Sequence, residues 1–205
     1  MKNEKQALWL LSLLNIILLI LLIYSRFFWS ATGINKESYN RAVSSLKFLY
    51  NNQKILSNYQ VFTEGSELNH DLELSDENGD SIQLGSIITG FSLVFRYTEL
   101  NCQSCVDLLL TTLRADSSFN KINTLLLTYY KEPSYLYQFK RMNRLQYPVF
   151  SIKNTGLPPD TLNVPYLFLL DQSLKVSNVF IPEEGDTASI KQYLSFASQK
   201  LGNQR

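Results

Sequence analysis

The sequence predicts an α/β fold in which helices flank a central mixed sheet, carried behind an N-terminal transmembrane helix and a juxtamembrane helix. Three observations predict it: a charge-free apolar run near the start, a strand-helix alternation from Ser92 onward, and two late strands joined by three residues. Strand-helix alternation implies parallel pairing through right-handed crossovers, and the late hairpin implies an antiparallel edge. The 205 residues leave room for one ordinary domain beyond the apolar run.

Ala7 to Ile23 (ALWLLSLLNIILLILLI) carries no charge. Such a run just crosses the ~30 Å hydrocarbon layer as a helix, with Tyr24, Phe27, Phe28 and Trp29 as an interfacial aromatic belt. Lys2 and Lys5 before the run favour a cytoplasmic N-terminus, although Arg26 directly after it weakens the bias. The expected location is therefore the cell membrane, single-pass, with the domain on the extracytoplasmic, periplasmic side. A secretory signal is the competing reading, but Phe27, Phe28 and Trp29 put bulky rings where a peptidase needs small residues. Residues 1–29 are thus expected to be an anchor.

Residues 30–66 form a juxtamembrane stalk. From Lys36 to about Ser57, Tyr39, Ala42, Val43, Leu46, Leu49 and Tyr50 recur at helical spacing, which fits either a spacer or dimer contact or a helix folded onto the domain. The domain itself spans 67–205 and opens with an N-terminal β-hairpin: Leu72 and Leu74 alternate with acids before Asn78-Gly79, and Ile82 and Leu84 alternate after it. Asn-Gly supplies the positive φ angles of a tight hairpin turn.

The alternation follows. Ser92–Tyr97 (SLVFRY) is a strand, and the helix from Cys102 to Ala115 carries Val106, Leu109, Leu110 and Leu113 on one face. Ile122–Tyr130 is a second strand, and Pro133 sits at the favoured first-turn position of a second helix carrying Leu136, Phe139 and Met142. Pro148–Ile152 is a third strand. After a Pro/Gly-bearing loop, Tyr166–Leu170 and Lys175–Ile181 form a hairpin across Asp171-Gln172-Ser173. Asp186 or Thr187 caps the last helix, with Ile190, Leu194, Ala197 and Leu201 on its apolar face. The 12 Tyr and 12 Phe fall mostly inside these patterns, as core residues do.

Hydrophobic residues make up 45% and charged residues 18%, a globular balance that argues against disorder. The net charge is +1, and no Lys/Arg cluster marks the soluble part, so no nucleic acid is expected as a partner.

The two cysteines stand as Cys102-Gln103-Ser104-Cys105, between the first strand and the first helix of the alternation. At a helix N-terminus the free backbone N–H groups and the positive end of the macrodipole stabilise an anion, which favours thiolate at Cys102. Asn101 is a suitable N-cap that would leave Cys102 facing solvent and Cys105 shielded. Cys102 is the expected nucleophile, and Cys105 the thiol that resolves a mixed disulfide. A structural disulfide is the bland alternative, but a bridge over two residues closes a very small loop and restricts the unfolded chain little. A metal site is the other alternative; two thiolates leave zinc short of ligands, and the one histidine, His70, sits before the hairpin. No metal and no cofactor are expected.

The strand SLVFRY, then ELNCQSCV, then the later NVPYLFLLD resemble the thioredoxin superfamily, specifically its membrane-anchored TlpA-like branch of bacterial thiol-disulfide oxidoreductases. The likeness spans roughly Asp71 to Leu201. It implies a thioredoxin-like sheet and a cis-proline loop beside the cysteines whose backbone pairs with the bound partner; Val164 and Pro165 match that position. It departs from the family pattern in two places. Asn101 stands where Trp is usual, and Gln103-Ser104 replaces the usual Gly-Pro or Pro-Pro.

Glu99, three residues before Cys102, is a candidate proton-transfer group for the resolving thiol, with a solvated loop carboxylate as the bland alternative. Arg96 either balances an acid or points outward at an edge. His70 is a surface residue, since no nucleophile-elbow motif accompanies it. The leading functional expectation is a thiol-disulfide oxidoreductase acting on exported thiol or disulfide proteins and reset by a membrane redox partner, with the lipid bilayer holding its N-terminal helix. A non-catalytic thioredoxin-like binding module is the second. A thiol peroxidase ranks lower, because Thr98 is one residue too far from Cys102 for T-x-x-C spacing.

Overall fold

The computed structural model describes residues 2–31, 36–115, 119, 123–132 and 134–202. Ile122 and Pro133, assigned above to the starts of a strand and a helix, lie outside the described residues, as do the side chains of Phe28 and Trp29. The chain forms two compact units, Met1–Asn52 and Gln53–Arg205.

The first unit contains α1 (Lys2–Ala31) and the larger part of α2 (Lys36–Thr63). Trp9–Phe27 within α1 is long and apolar enough to cross a membrane. Asn15, the strongly polar residue in that stretch, donates from its side-chain amide to the Leu11 carbonyl at 3.1 Å, so this donor is satisfied inside the helix. The helix α2 continues past Ser57 to Thr63 because its last turns belong to the second unit, where Leu56 and Tyr59 pack against the core and Thr63 is buried.

In the second unit β1 (Glu73–Ser75) and β2 (Ser81–Gln83) form the expected hairpin, with Leu74 opposite Ile82. Their connection is wider than the tight turn expected of Asn78-Gly79. The Asp76 carboxylate organises it by accepting from the backbone N–H groups of Asn78 at 2.8 Å and Asp80 at 2.9 Å, and of the pair only Gly79 takes a positive φ, +87°. These bonds, led by that from Asp80, hold the Asp76 carboxyl below the usual carboxylate range. A single turn, α3 (Leu84–Ile87), then buries Leu84.

The remaining elements are β3 (Ser92–Arg96), α4 (Gln103–Ala115), β4 (Thr124–Thr128), α5 (Ser134–Met142), β5 (Val149–Ser151), a 3-10 turn (Pro158–Leu162), β6 (Tyr166–Leu170), β7 (Val176–Phe180) and α6 (Thr187–Gly202). Among the described residues seven strands lie in the order β2-β1-β5-β4-β3-β6-β7. The strands β3, β4 and β5 pair in parallel, while β6 and β7 add antiparallel on the other side of β3. The hairpin joins the far edge where Ser75 pairs with Ser151.

Side chains alternate across the sheet, so β3 feeds two cores. Leu93, Phe95 and Tyr97 pack with Leu109 and Leu113 of α4 and Leu194 and Leu201 of α6. Val94 faces the other way, toward Leu127, Phe168, Leu74 and Leu84. A central strand covered on both faces needs apolar residues at every position, which is why SLVFRY reads as a continuous run. Its exception is Arg96.

Candidate functional site

In open α/β sheets reactive groups gather beyond the carboxyl ends of the strands, and Cys102 follows the carboxyl end of β3. Tyr97 extends that strand by donating its N–H to the Leu127 carbonyl at 3.0 Å. The chain then turns over Thr98–Asn101. Asn101 closes this turn on itself: its N–H donates to the Thr98 carbonyl at 3.0 Å, and its side-chain oxygen accepts from the Thr98 N–H at 2.7 Å. Asn101 therefore does not cap α4, because its acceptor is already engaged upstream. Cys102 occupies the N-cap position instead, and its carbonyl accepts from the N–H groups of Cys105 and Val106, each at 3.1 Å.

The amphipathic face of α4 buries Val106, Leu109, Leu110 and Leu113, and this fixes how the two sulfurs are presented. Both cysteines are free thiols, Cys102 exposed and Cys105 half-buried. The Cys105 thiol first, then the Ser104 hydroxyl and the Cys105 backbone N–H, favour the charged form of the Cys102 sulfur. Ser104 Oγ lies 2.9 Å from it. Together they hold the Cys102 thiol below its ordinary pKa. Burial does the opposite at Cys105, pushing that thiol up to about 11, with the neighbouring Cys102 sulfur adding to the effect.

A carboxylate distant in sequence also meets the exposed sulfur. Glu99 is exposed and accepts from the Lys131 backbone N–H at 3.2 Å. Glu184, 82 residues beyond Cys102 in the turn between β7 and α6, brings Oε1 to 3.9 Å from the Cys102 sulfur. Nothing in the local sequence around Glu184 marks that contact, which exists only once the sheet is closed.

Pro165 is buried, and Val164 packs against the core beneath the sheet. Tyr166 pairs with Arg96, so the next pair in register sets Pro165 opposite Tyr97, at the strand end from which the cysteine turn springs. The cis bond that the family resemblance implies is absent: among the described residues no peptide bond is cis. The chain reverses one step earlier, at Asn163, whose left-handed conformation (φ 52°, ψ 40°) ends the 3-10 turn, and the intrinsically favoured trans form then leads straight into β6.

Arg96 is settled as a balancing charge. It is buried, and its Nε donates to Asp160 Oδ1 at 3.0 Å while a second nitrogen donates to the Lys153 carbonyl at 3.1 Å. Asp160 also accepts from the Thr155 N–H at 2.7 Å, the Thr155 hydroxyl at 2.9 Å and the Tyr166 hydroxyl at 2.9 Å. This network ties the loop that delivers Val164 and Pro165 to the central strand. His70 is exposed, and among the described residues no group of three or more His, Cys, Asp or Glu side chains is arranged to hold a metal.

Solved structures that reach a TM-score of 0.50 share this architecture. No protein-family model matches the chain, and no curated protein matches it significantly. Among solved structures it is similar to the peroxidoxin BcpB from Mycobacterium tuberculosis, at 16% identity and a TM-score of 0.52, over 70% of this chain and 99% of that one. A peroxiredoxin Q variant from Xanthomonas campestris is 15% identical with a TM-score of 0.50, over 66% of this chain and 99% of that one. A Chlorobium tepidum structure described as a thiol:disulfide interchange protein DsbE is 16% identical with a TM-score of 0.47, over 66% of this chain and 97% of that one. Identities this low speak to fold alone. The chain is a thioredoxin-fold protein, with the central mixed sheet, flanking helices and apolar N-terminal helix read from its sequence.

Proposed function

We propose that this chain is a thiol-disulfide oxidoreductase of the TlpA-like kind, tethered to the membrane by α1 and working on exported proteins outside the cytoplasm. The observation that carries the reading is the asymmetry of the two sulfurs at the start of α4. One is exposed and stabilised as thiolate; the other is half-buried and held as thiol.

The asymmetry orders the steps. The Cys102 thiolate attacks one sulfur of a client disulfide, forming a mixed disulfide and releasing the client's other sulfur as a thiolate, which takes a proton from water. Cys105 then loses its proton and attacks the Cys102 sulfur, closing the Cys102–Cys105 disulfide and freeing the second client thiol. The client gains two electrons and the chain loses two, so a dithiol partner at the membrane must return them. Run backwards, the same steps oxidise a client. Val164 and Pro165 supply the backbone edge on which the client segment aligns, and Glu99 is the candidate to take the proton from Cys105.

The test uses the full-length chain in detergent. Cys105→Ser should accumulate a mixed disulfide with glutathione or an exported disulfide protein, Cys102→Ser should not, and the unmodified chain should turn over. A chain whose two thiols fail to exchange with a glutathione redox buffer would be a binding module that keeps the fold without the reaction.

A further inference from the structure

The backbone at Glu184 is held in place from both sides. Pro182 before it is buried, and after it Asp186 caps α6 by accepting from the Ser189 N–H at 3.0 Å. The intervening turn is closed by the Asp186 N–H on the Glu183 carbonyl at 3.2 Å. Gly185 takes the third position of this turn with φ +79°, a conformation that residues with a Cβ rarely adopt. The carboxylate so positioned lies 3.9 Å from the Cys102 sulfur. Among the described residues no lysine or arginine pairs with it; the ion pairs that form are Arg96–Asp160, Lys140–Glu77 and Arg41–Glu37.

A carboxylate beside a nucleophilic thiolate is an electrostatic opposition that no lysine or arginine among the described residues relieves. A partner bringing positive charge to Glu184 relieves it and gains an ion pair beside the attacking sulfur; a partner bringing negative charge adds a third like charge. We propose that Glu184 makes the Cys102 site selective for client segments that carry a lysine or arginine next to the reacting cysteine. This rests on the exchange reaction proposed above and leaves its chemistry unchanged: the new bond is Cys102 to the client sulfur, and Glu184 neither gains nor loses a proton.

The experiment presents the reduced full-length chain in detergent with three peptides, each bearing one cysteine as a neutral pyridyl disulfide flanked by Lys, Gln or Glu. Release of pyridine thione reports the attack. Two unit charges about 4 Å apart in water change an equilibrium about fivefold, so the Lys peptide should react about fivefold faster than the Gln peptide, and the Glu peptide about fivefold slower. Raising the salt should compress the spread. Glu184→Gln should collapse it toward the small intrinsic preference of a free thiol, whereas Glu183→Gln, which alters the exposed neighbour in the same turn, should keep it. Equal rates for the three peptides, a spread that survives Glu184→Gln, or one lost equally in Glu183→Gln would each overturn the proposal while leaving exchange intact. No reaction with any peptide would overturn the exchange reading itself.

Discussion

Arg96 and Asp160, 64 residues apart, meet at 3.0 Å beneath the central strand, with the arginine almost wholly buried. A buried guanidinium is tolerated only when its charge and donors are matched, and here the matching carboxylate sits in the loop that delivers Pro165. The pair therefore links the stability of the sheet to the shape of the site.

Removing one partner should be costly. Asp160→Ala leaves the guanidinium buried without its counter-charge, and a loss of about 3–5 kcal/mol is expected. Replacing both, Arg96→Met with Asp160→Leu, should lose less than the sum of the single changes. Chemical denaturation of the single and double variants reads this directly; strict additivity would mean that the two side chains act independently.

Cys102 should ionise below the range of an ordinary thiol. Its iodoacetamide rate, followed against pH, should rise with a midpoint below the ~8.5 of free cysteine. Ser104→Ala removes a hydroxyl bonded to the anion, so the midpoint should move up. An unchanged midpoint would show that Ser104 donates nothing to the sulfur.

Cys105 should behave in the opposite sense. Its thiol should stay unreactive through neutral pH and ionise near about 11. Because the folded chain favours the neutral form, the associated stability is complete below the unfolded value of ~8.5 and is lost as pH rises through the folded one. Mass-resolved alkylation at both cysteines between pH 7 and 11 checks the order. Equal labelling at pH 8 would remove the asymmetry on which the proposed reaction depends.

Asp186→Ala should lower the melting temperature by a few degrees by uncapping α6, and Asp186→Ser should restore most of the loss. The bonds from Ser189 hold the Asp186 carboxyl below the usual range. Its contribution is therefore present above the unfolded value of ~3.9 and fades as pH falls through the folded one.

What could be read from the sequence was what neighbouring residues decide. The strand-helix alternation, the hairpin around Gly79, the cap at Asp186 and the cysteine pair at a helix start all depend on residues within a few positions of one another. What could not be read depends on closure of the sheet. Glu184 and Cys102 are brought together by the placement of β6 and β7, and no spacing encodes that distance. Arg96 found Asp160 for the same reason. Asn101 shows a subtler limit: it had the right chemistry for a helix cap, but the Thr98 N–H lay within reach first.

The cap of α4 carries one more implication. At the start of this helix the Cys102 sulfur lies 2.9 Å from the Ser104 hydroxyl, for which it is the best acceptor when it bears a charge. Once the two sulfurs are joined, that charge is gone and the acceptor weakens. The Ser104 hydroxyl is then free to turn toward solvent, so this one side chain becomes a built-in gauge of whether the protein is loaded with electrons or spent.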